Sequence, residues 1–213
     1  MIRVAKSFNV PESLSAHKSY KESDVLKQLE KDHHNKCYLC ERALCTDFQV
    51  EHLKSRENNT HLTYVWENLF WVCGYCNGKK LQNFDGIVVP FSSNVELEII
   101  QSINFSDKKA EFVSCNKSEE FYRTIELLRR IHNGTNKIRT MREEKFFEYI
   151  VGVVNNFQRL VGDYLQNPSE KGKNLIREEL QIDKECLGFK YWIIKSNTLL
   201  ENTFSEDIIW NKQ

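Results

Sequence analysis

Residues 37–80 read CYLCERALCTDFQVEHLKSRENNTHLTYVWENLFWVCGYCNGKK, and this stretch decides the fold. It opens with one Cys-x-x-Cys pair, Cys37 and Cys40, and closes with a second, Cys73 and Cys76. Four thiols in two close pairs can hold one Zn²⁺ tetrahedrally. The 32 residues between the pairs exceed the usual spacing of a zinc ribbon, so the intervening stretch must be a module of its own. The pattern predicts a structural zinc site. Such a site is coordinatively closed, so any chemistry must lie elsewhere.

Within this stretch the residue pattern predicts two strands and a helix. Residues 46–52 alternate apolar and polar side chains, which is typical of a strand. Residues 53–62 are polar and rich in asparagine, which indicates a loop. Residues 64–72 are dense in aromatic side chains and predict a buried segment that leads into the second cysteine pair. A short helix is expected to start at Asn77, which gives the order ββα.

Glu51 and His52 stand side by side at the end of the first predicted strand, where adjacent side chains point in diverging directions. Hydrolysis of a phosphodiester needs an activated water, neutralisation of charge on the phosphate and help for the departing oxygen. A histidine whose pKa lies near neutrality suits the first task. A hard divalent cation with oxygen ligands suits the others, and Asn77 offers such an oxygen beside a zinc ligand. An exposed Glu-His pair is usually part of the protein surface without a specific role. Between two cysteine pairs that can bind zinc, however, it indicates a catalytic site.

The composition limits the kinds of protein this chain can be. It has 213 residues, and its 30 Lys and Arg residues balance 30 Asp and Glu residues, so any nucleic-acid contact must come from a local basic patch or a partner. There is no signal-peptide pattern and no apolar run long enough for a membrane, so we expect a cytoplasmic protein without membrane association. Seven cysteines in that compartment favour metal ligation over disulfides. Cys45, Cys115 and Cys186 are expected to be small buried side chains, although Cys45 could compete as a zinc ligand.

An α+β fold with four segments is predicted along the chain. Residues 1–36 form an N-terminal arm and a short helix, and residues 37–85 form the zinc-bound core. Residues 86–166 begin with three β-prone stretches, GIVV, VELEIIQSINF and AEFVSC, and SDKK can turn the last two into a hairpin. Two amphipathic helices complete that segment. Residues 167–213 form a C-terminal helical and aromatic segment.

The motifs together carry a family resemblance. The chain resembles the HNH, or ββα-metal, endonucleases in four consecutive motifs. These are the first Cys-x-x-Cys, Val-Glu-His at residues 50–52, Trp-Glu-Asn-Leu at residues 66–69 and Cys-x-x-Cys-Asn-x-x-Lys at residues 73–80. The likeness is closest to the PtuB-like HNH subunit of Septu and retron-associated anti-phage defence systems. It covers about residues 1–142. The resemblance implies a zinc-stapled ββα-metal core and a metal-dependent nuclease.

The resemblance also implies a role for each matching residue. His52 would be the general base. Glu51 and Asn77 would hold a catalytic Mg²⁺ or Mn²⁺, and the four cysteines of the two pairs would hold the structural zinc. Asn68 would orient the His52 loop through hydrogen bonds. Glu51 stands where many HNH enzymes have Asp or His, and residues 54–56 stand where this branch often has a Pro-Lys element.

Lys54, Arg56, Lys79 and Lys80 flank the predicted site and are the expected phosphate contacts. The resemblance implies a nucleic-acid substrate, DNA in preference to RNA, and an ATPase partner of the PtuA type, with or without a retron RNA–DNA complex. A chain with no net positive charge would bind nucleic acid weakly alone, which agrees with recruitment by a partner. Two alternatives stay open: a stand-alone restriction-type HNH nuclease, and a non-catalytic zinc-stapled module that binds nucleic acid or protein.

Overall fold

A computed structural model describes residues 1–43 and 45–210, which form helices and two small antiparallel sheets. The strands are β1 (Phe48–His52), β2 (Leu69–Cys73), β3 (Ile99–Asn104) and β4 (Lys109–Ser114). The helices are α1 (Glu12–Ser15), α2 (Ser23–Asp32), α3 (Gly74–Lys80), α4 (Val95–Glu98), α5 (Glu119–Asn133), α6 (Met141–Gln166), α7 (Glu170–Glu179), α8 (Leu187–Lys195) and α9 (Thr198–Phe204). Within these residues, no helix combines the length and the apolar character that crossing a membrane requires.

The stretch between the cysteine pairs has the predicted order of two strands and a helix. β1 pairs antiparallel with β2 in a register that runs from Phe48 opposite Cys73 to His52 opposite Leu69. α3 follows β2 without a loop and begins at Gly74, three residues before the predicted start. The cysteine at the end of β2 and the histidine at the end of β1 therefore lie at opposite ends of one short hairpin.

The second sheet is the predicted hairpin of β3 and β4, with Ile99 opposite Ser114 and Asn104 opposite Lys109. Two details of the prediction are wrong. Residues 86–89 form no strand, although the side chains of Ile87 and Val88 are buried. Residues 95–98 form the short helix α4 and not the start of the strand. In both places apolar side chains are buried by tertiary packing, so their β-propensity alone did not determine the backbone conformation.

Helix α5 ends and helix α6 begins at residues whose chemistry suits those positions. α5 stops at Gly134, whose φ of +80° disfavours a side chain and whose Cβ would lie 2.9 Å from the Glu143 carboxyl group. Thr140 caps α6 in a reciprocal capping box with Glu143. The apolar stripe of α6 is buried along most of the helix, and it joins two cores.

The main core contains the four paired cysteines and extends from Met1 to Phe189, so the ββα unit is packed into the rest of the chain. The second core joins the C-terminal half of α6 to α7, α8 and α9, between Phe157 and Ile208. The predicted C-terminal segment supplies most of this second core. Its last three residues, 211–213, lie outside the described part of the chain.

The N-terminal arm is non-helical as far as Val10 and is packed against the body of the protein. Met1 is buried, and its α-amino group contacts the Glu41 carboxylate. The Lys6 ammonium donates hydrogen bonds to the carbonyl oxygens of Trp66 and Leu69 and lies 4.1 Å from the centre of the Trp66 ring. Burial lowers the pKa of Lys6 to about 7. These contacts hold the arm, and the α1–α2 pair that follows it, against the ββα unit.

Candidate metal centre and active-site cleft

The four cysteines of the two pairs form one compact, buried cluster. Their sulfur atoms all lie within 4.8 Å of one another. The Sγ atoms of Cys40 and Cys73 are 3.9 Å apart. Zinc–sulfur bonds of about 2.3 Å at tetrahedral angles place neighbouring sulfurs roughly 3.8 Å apart. The cluster therefore has the size and the donor set of a structural zinc site, and it could bind Zn²⁺ with little rearrangement.

Three elements bring these cysteines together. The first pair lies in a tight turn after α2, where the Glu41 N–H donates to the Cys37 carbonyl oxygen at 2.8 Å. Cys73 is the last residue of β2 and the N-cap of α3, and Cys76 lies in the first turn of that helix. A bound zinc ion would tie α2, the hairpin and α3 to one another, which a two-stranded hairpin needs because it is marginally stable alone.

The thiols influence one another's acidity. Burial raises the pKa of Cys40 and Cys76, whereas hydrogen bonds from the other sulfurs, Cys37 foremost, lower the pKa of Cys73. Cys45 stays outside the group of four and is half-buried; its Sγ lies 3.6 Å from the Ala43 carbonyl oxygen, and interaction with the Cys73 sulfur raises the pKa of Cys45. A role of Cys45 as a competing zinc ligand stays a prediction. Among the other two cysteines, Cys186 is buried as predicted, whereas the prediction for Cys115 is wrong because this residue is exposed.

A cleft of about 920 Å³ runs along β1 and α3. Five of the predicted site residues line it: Glu51, His52, Arg56, Asn77 and Lys80. Three others do not, because Asn68 is buried behind the His52 loop and the side chains of Lys54 and Lys79 lie outside the cleft wall. The structure thus brings the proposed base and the two proposed metal ligands to one concave surface.

His52 is held in one orientation at the end of β1. Its Nε2 lies 3.1 Å from the Thr63 carbonyl oxygen, and the residue is 7% exposed. Because a carbonyl oxygen only accepts hydrogen bonds, Nε2 must carry the proton, which leaves the lone pair on Nδ1. Burial lowers the pKa of His52, so its neutral form prevails near pH 7. The residue therefore has the protonation state that a general base requires.

Glu51 forms an ion pair with Lys80, whose Nζ lies 2.8 Å from Glu51 Oε1. Lys80 is 1% exposed, and its ammonium also donates to the His52 carbonyl oxygen at 3.2 Å. Burial raises the pKa of Glu51, and the Lys80 charge opposes this rise. The Lys80 ammonium therefore contacts both of the adjacent site residues: the side chain of Glu51 and the backbone carbonyl of His52.

Asn77 lies one residue beyond a zinc-cluster cysteine, and its amide nitrogen donates to Gln49 Oε1 at 2.6 Å. The side-chain oxygen of Asn77, Oδ1, has no hydrogen-bond partner within the described residues. Asn77 Oδ1 and the Glu51 carboxylate are oxygen donors of the kind that a hard divalent cation prefers, and both residues line the cleft. The described chain contains no second group of three or more His, Cys, Asp or Glu ligands, so such a cation would complete its coordination with water or substrate oxygens.

The loop after His52 is held at several points. Asn68 Oδ1 accepts the Lys54 N–H at 2.8 Å, and Asn68 Nδ2 donates to the carbonyl oxygens of Lys54 and Leu62 at 3.1 and 3.2 Å. The side chain of Asn68 thus contacts both ends of the loop. Asp85, which the sequence motifs do not single out, accepts hydrogen bonds of 2.8 Å from the N–H and the hydroxyl of Ser55. No local sequence pattern identifies this contact, because β2 and α3 lie between the two residues in the chain.

The four predicted phosphate contacts differ in their surroundings. Lys54 and Arg56 are exposed, and Arg56 faces the cleft. Lys79 forms an ion pair with Glu143, which lowers the pKa of that glutamate to about 2. Lys80 is buried and paired with Glu51. A role in binding nucleic acid stays a prediction for all four, but only Lys54 and Arg56 present a cation that is not already paired with a carboxylate in the described chain.

Comparison with known proteins identifies no relative. A scan against protein-family models, a search of curated proteins and a search of solved structures each found no match. Function is therefore inferred from the motifs and from the geometry of the cluster and the cleft.

Proposed function

We propose that this chain is a metal-dependent HNH-type endonuclease that hydrolyses phosphodiester bonds in nucleic acid. The observation that supports the proposal most is the state of His52. Its neutral imidazole is tied through Nε2 to the Thr63 carbonyl oxygen, and His52 lines a cleft that Glu51 and Asn77 also line. A base, a carboxylate and an amide oxygen at one concave surface are the groups that such hydrolysis requires.

In the proposed reaction, His52 Nδ1 takes a proton from a water molecule as its oxygen attacks phosphorus. The bond from phosphorus to the leaving oxygen breaks, and that oxygen then takes up a proton from solvent. Glu51 and Asn77 would hold the Mg²⁺ or Mn²⁺, which when bound neutralises charge on the phosphate and on the departing oxygen. Asn68 keeps the loop in place, and with it the Thr63 carbonyl that orients His52. The zinc-stapled cysteines have a structural role only, because four sulfur ligands leave no open position.

We further propose that the nuclease is the effector of a bacterial anti-phage system and acts with an ATPase partner in the cytoplasm. The charge distribution supports recruitment: the chain has no net charge, and two of its four predicted phosphate contacts are already paired with carboxylates. Electrostatic attraction supplies most non-specific binding to nucleic acid, so the chain alone would bind weakly at physiological salt. Co-expression with an ATPase of the PtuA type should yield a complex with greater cleavage activity than the isolated chain.

A non-catalytic zinc-stapled binding module is the second candidate, and one observation favours it. Glu51 already has a cationic partner in Lys80, so its charge is compensated without a metal ion. The two candidates differ in what Glu51→Gln combined with Asn77→Ala would do. A nuclease would lose cleavage and Mn²⁺ binding, whereas a binding module would retain its affinity for nucleic acid unchanged.

The test uses the purified, zinc-loaded chain at high protein concentration and low salt, with labelled single-stranded and duplex DNA and RNA. Cleavage should require added Mg²⁺ or Mn²⁺ and should disappear in His52→Ala. Circular dichroism and zinc content should be the same in both proteins, which separates lost chemistry from lost folding. Equal cleavage by wild type and His52→Ala would refute the mechanism.

A further inference from the structure

The connector between α1 and α2, residues 16–22, lies beside the proposed active-site cleft although it belongs to the N-terminal arm. Two of its residues, Tyr20 and Lys21, line that cleft together with His52 and Arg56. Neither is among the site residues expected from the sequence motifs. The cleft therefore has one wall from the ββα unit and another from a segment that precedes it by about 30 residues.

Tyr20 contacts the proposed general base directly. The rings of Tyr20 and His52 meet nearly at right angles, at 84°, with their centroids 4.8 Å apart. This edge-to-face arrangement is a favourable one for aromatic rings. The single hydrogen bond from His52 Nε2 to Thr63 does not by itself prevent the imidazole from tilting. The ring of Tyr20 supplies a second point of contact. The hydrogen bond to Thr63 and the contact with the Tyr20 ring together restrict the direction in which Nδ1 points.

Tyr20 also brings cations to the edge of the cleft. The Arg56 guanidinium lies 5.2 Å from the centre of the Tyr20 ring, and the Lys21 ammonium lies 5.9 Å from it. The electron-rich face of an aromatic ring attracts cations at such distances. Both side chains are exposed, whereas Lys80 in the same cleft is buried and paired. Arg56 and Lys21 are thus available to substrate phosphates next to the proposed base.

The connector is fixed in position by contacts on either side of Tyr20. The His17 ring stacks on the Tyr64 ring, with centroids 4.9 Å apart and planes 11° apart. The Ser13 N–H donates to Asp24 Oδ2 at 3.0 Å, which ties α1 to α2. Tyr64 directly follows Thr63, whose carbonyl oxygen binds His52. The connector and the loop that orients the imidazole therefore support each other.

We propose that residues 16–22 form the second wall of the active site, in which Tyr20 positions the His52 imidazole and holds Arg56 and Lys21 as contacts for the phosphates of the substrate strand. The proposal rests on the nuclease function proposed above and deepens it. Tyr20 is a positioning residue that acts through His52, and Lys21 is a substrate contact.

The kinetic test compares Tyr20→Leu with Tyr20→Phe, which keeps the ring and removes only the hydroxyl. Tyr20→Leu should lower kcat about 10- to 100-fold, as expected when a catalytic group is misplaced, and should also raise KM. Tyr20→Phe should retain the wild-type values. The matched control is Tyr122→Leu, because Tyr122 is a 61% exposed tyrosine on α5 that does not line the cleft. Arg56→Ala with Lys21→Ala should raise KM and reduce the salt slope of binding by about 1 for each phosphate-binding cation removed.

A second measurement does not depend on activity. The imidazole signals of His52 can be assigned in nuclear magnetic resonance spectra as those missing from His52→Ala. They should move in Tyr20→Leu and stay in place in Tyr20→Phe and Tyr122→Leu. Unmoved His52 signals in Tyr20→Leu, or wild-type kcat and KM in that variant, would overturn the proposal. If the wild-type chain cleaves nothing, the nuclease function fails, and the spectra still report whether the Tyr20 ring contacts the imidazole.

Discussion

Replacing Lys80 with methionine isolates the interaction that joins Glu51 to the backbone of His52. Methionine keeps much of the apolar length of lysine and removes the ammonium. Lys80 is 1% exposed and the Glu51 side chain 13% exposed, so the carboxylate would stay largely buried without its partner. Removing one member of a buried ion pair costs about 3–5 kcal/mol. That is a large fraction of the roughly 5–15 kcal/mol that stabilises a typical domain, so a lower unfolding midpoint is expected.

The assay is a double-mutant cycle in chemical denaturation with Lys80→Met, Glu51→Gln and the double variant, all zinc-loaded. Lys80→Met leaves the Glu51 carboxylate without its partner, and Glu51→Gln leaves Lys80 only the Asp85 carboxylate, 4.0 Å away, whereas the double variant removes both members of the pair. The double variant should therefore be more stable than the sum of the single changes predicts, with a coupling energy of about 1–3 kcal/mol. Additive effects of the two substitutions would refute the interpretation of Lys80 as the partner of Glu51. A Lys79→Met variant is a useful comparison because Lys79 pairs with Glu143 away from the cleft.

Three further predictions concern the zinc cluster, the loop and the aromatic core. Cys76→Ser removes one of four buried sulfurs, so it should abolish stoichiometric zinc binding, measured by elemental analysis, and broaden or lose the cooperative unfolding transition; full zinc content would contradict the assignment. Asn68→Ala removes three hydrogen bonds to the loop after His52 and should lower the free energy of unfolding by about 1–3 kcal/mol and speed amide exchange in residues 53–62; unchanged exchange would argue against its role in holding the loop. Burial lowers the pKa of His132 to about 4 from 6.5, so its neutral form stabilises the fold above pH 6.5 and that stability is lost as the pH falls towards 4. His132→Leu should remove up to roughly 3 kcal/mol of this pH dependence in denaturation experiments, and an unchanged pH dependence would contradict the prediction.

The residues that the sequence identifies well are those whose role follows from local pattern. The two cysteine pairs predict a four-sulfur cluster, and the structure contains one. Alternation in residues 46–52 predicts β1, and the turn at SDKK predicts the β3–β4 hairpin. Each cysteine pair, the alternation in β1 and the turn of the hairpin are patterns of a few residues, so tertiary packing had little opportunity to override them.

The features that the sequence does not reveal depend on contacts between distant segments. Lys80 looks like a solvated helix-end lysine, and its burial becomes evident only when Glu51 and the His52 carbonyl are placed around it. The N-terminal arm has no periodicity because its side chains enter the core one at a time, so neither its packing nor the position of Tyr20 beside His52 could be predicted. These contacts between distant segments position the motif residues around the cleft.

The central claim is that His52 acts as the general base of a metal-dependent nuclease. The most direct measurement is the single-turnover rate of nucleic-acid cleavage by the zinc-loaded chain in Mn²⁺, for wild type and for His52→Ala, with circular dichroism of both. We predict slow cleavage by the wild type and a loss of at least about 100-fold in the variant, with an unchanged spectrum. Cleavage at the same rate by both proteins would contradict the claim.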